Sequence, residues 1–238
     1  MSEKDWISFW NSQHSIYVNA RHLDLHYRDV ADRILDLQPA GDARVLDFGC
    51  GEALHADRVA ARVGRLWLCE AASRVRDSMR SRFGAVANIA VISPEELAAL
   101  PDGSLDLIVA NSVAQYLTRD ELDALLRRWR VLLAPQGRLV LADVIPPGVS
   151  PASDALALLR YAWRNGFLTA AIGGLIRTVL SPYRRIRAEL GVTTYSEQEI
   201  VGRINAAGFA TARLPFNFEH QPARLSFVAT PAPPTVKG

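Results

Sequence analysis

The residues best equipped for chemistry stand in one short stretch, Val45-Leu46-Asp47-Phe48-Gly49-Cys50-Gly51. An apolar run ends in a carboxylate and breaks into a glycine turn. Glycine has no Cβ, so such a turn allows positive φ and lets the backbone approach a ligand closely. Leu54 to Val63 reads as a helix, which places the turn at a helix N-terminus. Strand, glycine turn and helix together form a nucleotide-type binding unit. A second acid, Glu70, follows Gly51 by 19 residues. That is close to the spacing of a carboxylate that binds ribose hydroxyls. A dinucleotide fingerprint would require a third glycine where Leu54 stands, and Asp47 would repel a diphosphate. The two acids suit a nucleoside with a ribose and a cationic amino-acid tail, a description that S-adenosylmethionine meets.

These groups must be positioned by a regular scaffold. Strand-like runs at Arg44–Phe48, Arg65–Glu70, Asn88–Ile92, Leu105–Ala110 and Gly137–Asp143 alternate with helical ones at Ser73–Phe83, Glu95–Leu100 and Arg119–Leu133. The alternation predicts an α/β fold, a mostly parallel sheet with helices on both faces. Ser196-Glu197-Gln198-Glu199 predicts a capping box opening a helix to Ala207, which Gly208 ends. Thr211–Phe216 and Arg224–Thr230 are too close for a helical crossover and predict an antiparallel hairpin, giving seven strands. One domain, 1–238, is expected. It comprises an N-terminal helical cap (1–40), a ligand-binding core (41–145), a helical insert (150–192, helical from Ser153 to Leu190) and a final helix and hairpin (193–230).

The totals agree with that outline. The chain has 238 residues, is 49% hydrophobic and carries a net charge of +2, which is enough for one large core and argues against a polyanion partner such as nucleic acid. Cys50 and Cys69 form no CxxC pair, which fits a reducing compartment. With no signal-peptide pattern in the first residues, a cytoplasmic location is expected.

Four motifs carry a resemblance to a known family. Val45–Gly51 resembles motif I of the class I SAM-dependent methyltransferases, and Leu68-Cys69-Glu70 their strand-2 acid. Ser104–Asn111 resembles the motif around strand 4, and Leu132–Leu139 the entry to strand 5. The resemblance covers roughly residues 40–145, and the hairpin matches the family's reversed last strand. It implies a Rossmann-like fold and S-adenosyl-L-methionine as cofactor. It places Gly49, Cys50 and Gly51 along the amino-acid portion, Asp47 near the ammonium group, and Glu70 with Ala71 at the ribose. Ser93, Pro94 and Glu95 would flank the adenine. Asn111, Ser112 and Val113 would lie under the methionine chain. Because Asn111-Ser112-Val113-Ala114 departs from Asn-Pro-Pro-Tyr, the resemblance points to a small-molecule acceptor, methylated at oxygen, nitrogen or carbon.

A general base is needed only if the acceptor arrives protonated. Candidates are His14, His22, His26, His220 and Asp143. His22 and His26 are four apart, but no HExxH pattern or third ligand accompanies them, so no metal is expected. Trp6, Phe9, Trp10, Tyr17 and Tyr27 read either as a packed helix or as an aromatic lid. Trp10, Tyr17, Tyr116, Arg160 and Tyr195 are the candidate substrate contacts. From Ala155 to Ala188 there is no acid, while Arg160, Arg164, Arg177, Arg184, Arg185 and Arg187 are interleaved with apolar residues. That insert suits a lipid surface, an anion-binding cap or plain packing. The alternatives to an enzyme with a small apolar or anionic acceptor are a silent SAM-binding module and an NAD(P)-dependent oxidoreductase.

Overall fold

A computed structural model of the chain describes residues 7–8, 10–11, 17–37, 41–179 and 191–233. The elements are α1 (Ala20–Leu37), β1 (Arg44–Phe48), α2 (Ala56–Ala60), β2 (Arg65–Cys69), α3 (Ser73–Phe83), β3 (Ile89–Ile92), α4 (Pro94–Leu97) and β4 (Leu105–Asn111). A 3-10 turn (Ala114–Tyr116) leads to α5 (Arg119–Leu132) and β5 (Leu133–Val144). There follow α6 (Pro151–Arg164), α7 (Leu168–Val179), α8 (Glu197–Ala206), β6 (Phe209–Arg213) and β7 (Leu225–Pro231).

The seven strands form one sheet in the order β3-β2-β1-β4-β5-β7-β6. The first five are parallel, with Leu46 opposite Trp67 on one side and Ile108 on the other. The β6–β7 hairpin joins β5 antiparallel, as expected from the short connection. Successive side chains of β1 and β4 alternate between the two faces. Val45, Leu107 and Val109 pack with Ile34, Val59 and Met79 of α1, α2 and α3. Leu46, Phe48 and Ile108 pack with Leu126, Trp129 and Ile200 of α5 and α8. Both faces of the parallel strands are therefore buried, which is why they read as unbroken apolar runs.

Two local expectations change. The insert is not one helix, because α6 stops at a left-handed glycine, Gly166, with φ +74°. Phe167 N–H donates to Ala162 C=O (2.9 Å) and Gly166 N–H to Trp163 C=O (3.3 Å), the Schellman pattern that satisfies a helix's last carbonyls. The segment 181–190, with Arg184, Arg185 and Arg187, lies outside the described residues. Ser196 does cap α8 by accepting from Glu199 N–H (3.1 Å). The Glu199 carboxylate does not return to Ser196, however, because it pairs with Arg119 at 2.7 Å, so only half of the capping box forms.

Candidate active site

The site lies at the carboxyl ends of β1, β2, β4 and β5. Gly49 and Gly51 both take positive φ, +69° and +56°. A Cβ at Gly49 would stand 2.5 Å from Val113 Cγ2, so the turn and the segment after β4 meet only because that carbon is missing. Gly49 N–H donates to Cys69 C=O (2.7 Å). Glu70 closes the turn from β2: its Oε2 accepts from Gly51 N–H (3.0 Å) and its Oε1 from Ala72 N–H (2.8 Å). Each carboxylate oxygen has further acceptor capacity, so Glu70 both shapes the turn and can meet a diol. Burial raises its pKa, against the pull of those backbone donors.

Asp47 and Asn111 point to the same face, towards α1. Asp47 is buried, and burial followed by repulsion from Glu70 pushes its carboxyl up to about 7, with His26 opposing. The Asn111 Oδ1 is buried without a hydrogen-bond partner. Neither acceptor is paired by any described residue. An unpaired buried acceptor costs about 1–3 kcal/mol, so the pair forms a prepared seat for a donor such as an ammonium group.

The N-terminal segment crosses above these strand ends. Asn11 Oδ1 accepts from Arg74 N–H (3.1 Å) at the start of α3, while Trp10 packs edge-on against Tyr116 with ring centroids 6.0 Å apart. Tyr27 of α1 accepts from Glu52 N–H through its hydroxyl (2.8 Å), directly over Gly51. Tyr17 lies against His26 and Tyr27, with centroids 5.0 and 6.0 Å away. Trp10, Tyr17 and Tyr27 thus gather over the strand ends.

Beyond Asn111 lies a second polar cluster. His26 Nδ1 is 3.0 Å from Glu219 Oε2, and Asn111 Nδ2 donates to Glu219 Oε1 at 2.9 Å. Burial opposes the Glu219 charge, but His26 and Asn111 outweigh it and hold the carboxyl down to about 2. Burial likewise lowers His26, but Glu219 prevails and its pKa is raised. The Glu219 bond assigns the proton to Nδ1 and leaves Nε2 as the acceptor. His22 stacks on Phe167 at 5.3 Å, and burial pulls it down to about 4. His220 stacks on Tyr161 at 5.2 Å and is also lowered by burial, and Tyr161 donates its hydroxyl to Asp29 (2.6 Å).

One buried network holds this cluster in place. Asp143 accepts from Ser112 Oγ (2.7 Å), Asn217 Nδ2 (2.7 Å) and Arg224 Nη1 (2.5 Å). Arg224 also reaches Asp154 of α6 (3.2 Å), to which Gln221 donates (3.0 Å). The loop that carries Glu219 and His220 is thus tied to β5 and to the insert. Ser112 and Asp143 sit in the left-handed region, φ +57° and +60°, a strain of order 1–3 kcal/mol each that the network sustains.

The fold therefore brings together Asp47, Gly49, Gly51, Glu70, Asn111, Ser112 and Val113 beneath Trp10, Tyr17 and Tyr116. Two expected substrate contacts, Tyr195 and Arg160, fall elsewhere, and several expected cofactor residues make further bonds of their own. Tyr195 is fully buried in the core against the α5–α8 side, with Arg119 over its ring, because its ring fills space between helices rather than the cleft. Arg160 is exposed on the outer side of α6. Cys50 turns its thiol back to Met79 (3.8 Å), leaving only its backbone in the turn. Ala71 C=O accepts from Arg76 Nη1 (2.6 Å). Ser93 and Pro94 start α4, where Ser93 forms a capping box with Glu96, and Glu95 is exposed. Asp143, a candidate base by sequence, has its carboxylate committed to three donors. His14, Trp6 and Phe9 lie outside the described residues. Sequence reasoning missed Glu219, Asn217 and Arg224. Their signal was a polar cluster, Asn217 to Gln221, inside a hairpin connection.

The sheet order, the glycine turn and the strand-2 acid define a Rossmann-like cofactor-binding fold of the methyltransferase type. A family pattern described as "Methyltransferase domain" matches residues 45–137. Nocamycin O-methyltransferase of Saccharothrix syringae is 31% identical over 204 residues, covering 79% of this chain and 66% of that protein. An uncharacterized methyltransferase of Mycobacterium bovis is 29% identical over 128 residues, covering 53% of this chain and 61% of its own length. The chain thus spans slightly less than two thirds of these relatives. Among solved structures, DhpI in complex with SAH superposes with a TM-score of 0.62 at 14% identity, covering 97% of each chain. Mitomycin 7-O-methyltransferase MmcR gives 0.60 at 17% identity, covering 88% of this chain and 54% of that one. The chain carries a class I SAM-dependent methyltransferase domain, built on Val45–Gly51 and Glu70. The cofactor of that family is S-adenosyl-L-methionine, and the residues fit it: the unpaired Asn111 Oδ1 beside the buried Asp47 for its ammonium, a half-used carboxylate for its ribose and a turn with glycine at 49 and 51.

Proposed function

We propose that the protein methylates a hydroxyl oxygen of a small, largely apolar molecule, with His26 as general base. The observation that carries this reading is the His26–Glu219 pair at 3.0 Å beside Asn111. When bound, S-adenosylmethionine supplies a methyl group on a sulfonium, already activated for in-line displacement. Glu70 would hold the ribose, Asp47 and Asn111 Oδ1 the ammonium group, and Trp10, Tyr17 and Tyr27 would exclude water above them.

A hydroxyl is a poor nucleophile until its proton leaves. His26 Nε2 would take that proton, and the resulting imidazolium would be stabilised by the adjacent Glu219 carboxylate. Glu219 keeps its own negative charge and fixes the ring, as the carboxylate does in a Ser-His-Asp triad. His22, held neutral, and the rings of Phe167 and Tyr161 form apolar and aromatic surroundings for the acceptor. A small-molecule O-methyltransferase among the relatives accords with this reading.

The test is release of S-adenosylhomocysteine from S-adenosylmethionine across a panel of small hydroxylated compounds and cell extract. His26→Gln should lower kcat by about 10²–10⁴-fold with S-adenosylhomocysteine affinity unchanged. If no compound or extract supports turnover, the enzymatic reading fails. If His26→Gln keeps full rate, the base assignment fails.

A further inference from the structure

The insert presents two faces of opposite character. Its inner face, with Ala162, Phe167 and Ala171, is buried against Leu25 of α1 and closes the acceptor end of the site. Its outer face remains exposed. Leu156, Arg160, Trp163 and Arg164 follow one another at i, i+4, i+7 and i+8, a single side of α6. Ile172 and Ile176, one turn apart, are likewise exposed on α7, which packs against α6. Trp163 is 76% exposed and Ile176 60%. Among the described residues, five large hydrophobic side chains are exposed, and four of them, Leu156, Trp163, Ile172 and Ile176, are on these two helices. Single exposed apolar residues need no explanation, but four gathered on two packed helices do.

The charge on this face identifies the occupant. Arg160, Arg164 and Arg177 are exposed, and the sequence from Ala155 to Ala188 contains no acid to answer them. Arg177 makes one long bond to Val18 C=O (3.4 Å), leaving the rest of its guanidinium outward. Asp154, the acid that immediately precedes this run in the sequence, is turned inward onto Arg224 and Gln221. A two-fold contact with a second copy would set arginine against arginine across the patch. A surface of phosphate headgroups over hydrocarbon answers both halves: anions for the guanidinium groups and an apolar layer for Trp163, Leu156, Ile172 and Ile176. We infer that the outer face of α6 and α7 docks this protein on an anionic lipid surface. The docked orientation would place the acceptor end of the site, directly beneath the same helices, next to that surface.

Co-sedimentation of the full chain with phosphatidylcholine vesicles, with and without phosphatidylglycerol, tests this. Binding is expected with the anionic lipid and should weaken as salt rises. Each arginine near such a surface is worth about fivefold, so Arg160→Glu with Arg164→Glu should reduce binding by at least about 25-fold. Trp163→Ser with Ile176→Ser should reduce it by at least about tenfold. These positions are exposed, so thermal melting and S-adenosylhomocysteine binding should be unchanged, and this readout does not depend on the methyl acceptor. Failure to bind anionic vesicles, or equal binding by the Trp163→Ser/Ile176→Ser variant, overturns the inference. A concentration-dependent dimer in light scattering that Trp163→Ser abolishes would assign the face to a second copy instead.

Discussion

Replacing Glu219 by Gln keeps the side chain's shape and its bond with Asn111 but removes the charge facing His26. The pair is nearly buried, with side chains 15% and 11% exposed, so solvent screens it little. Burial opposes the Glu219 charge, yet its carboxyl is held down to about 2, with His26 the largest of the groups that favour the charged form. The cost of breaking a buried pair suggests about 3–5 kcal/mol. The effect depends on pH with a definite sign. The depressed Glu219 contributes stability above its unfolded pKa, and loses it as pH falls from about 4.5 toward 2. The raised His26 contributes below about 6.5, and its share is lost as pH rises through its folded value. The gap between wild type and Glu219→Gln in urea unfolding should therefore be widest between about pH 4.5 and 6.5 and shrink on both sides. Histidine NMR gives the sharper readout. His26, assigned by its disappearance in His26→Gln, should titrate above the ordinary 6.5 in wild type. In Glu219→Gln it should titrate below that value, because burial is then largely unopposed. A midpoint that stays put, or an equal stability gap at about pH 5.5 and about pH 9, would refute the coupling and with it the assignment of Nε2 as proton acceptor.

Other outcomes follow from the same geometry. Methyl transfer by a neutral His26 should rise with pH through a midpoint above 6.5, measured as kcat/KM, since the raised pKa keeps the base protonated below it. Glu70→Ala removes the acceptor for Gly51 and Ala72 N–H as well as the ribose, and should weaken S-adenosylhomocysteine binding by about 1–3 kcal/mol in calorimetry. Gly49→Val should abolish that binding and also lower Tm, because its Cβ would strike Val113 from a left-handed backbone. Arg224→Met strands Asp143 and Asp154 and should cost about 3–5 kcal/mol in thermal or urea unfolding, with Asp143→Asn in the same background recovering part of the loss.

What the sequence determined is what neighbours along the chain can determine. Alternating apolar runs set the parallel strands, because a strand buried on both faces has no polar positions to spare. The glycine turn was legible because only glycine accepts the backbone it needs, and Glu70 because a fixed βα unit sets its distance from Gly51. Even the break in the insert has a local sign, Asn165-Gly166, a helix-ending pair within an otherwise helical pattern. The second half of the site had no such sign. His26 and Glu219 are 193 positions apart, and Asn111 and Glu219 are 108 apart. Histidines were visible as candidates, but a base becomes distinct only when a partner sets its tautomer and burial makes the pair count. Asp143 shows the converse: its place at a strand end suggested a base, and Arg224, Asn217 and Ser112 turned it into an anchor. Tyr195 and Arg160 were likewise plausible by type and misplaced by packing. Tertiary structure decided these roles, because hydrogen-bond partners and desolvation belong to the folded surroundings and not to the residue.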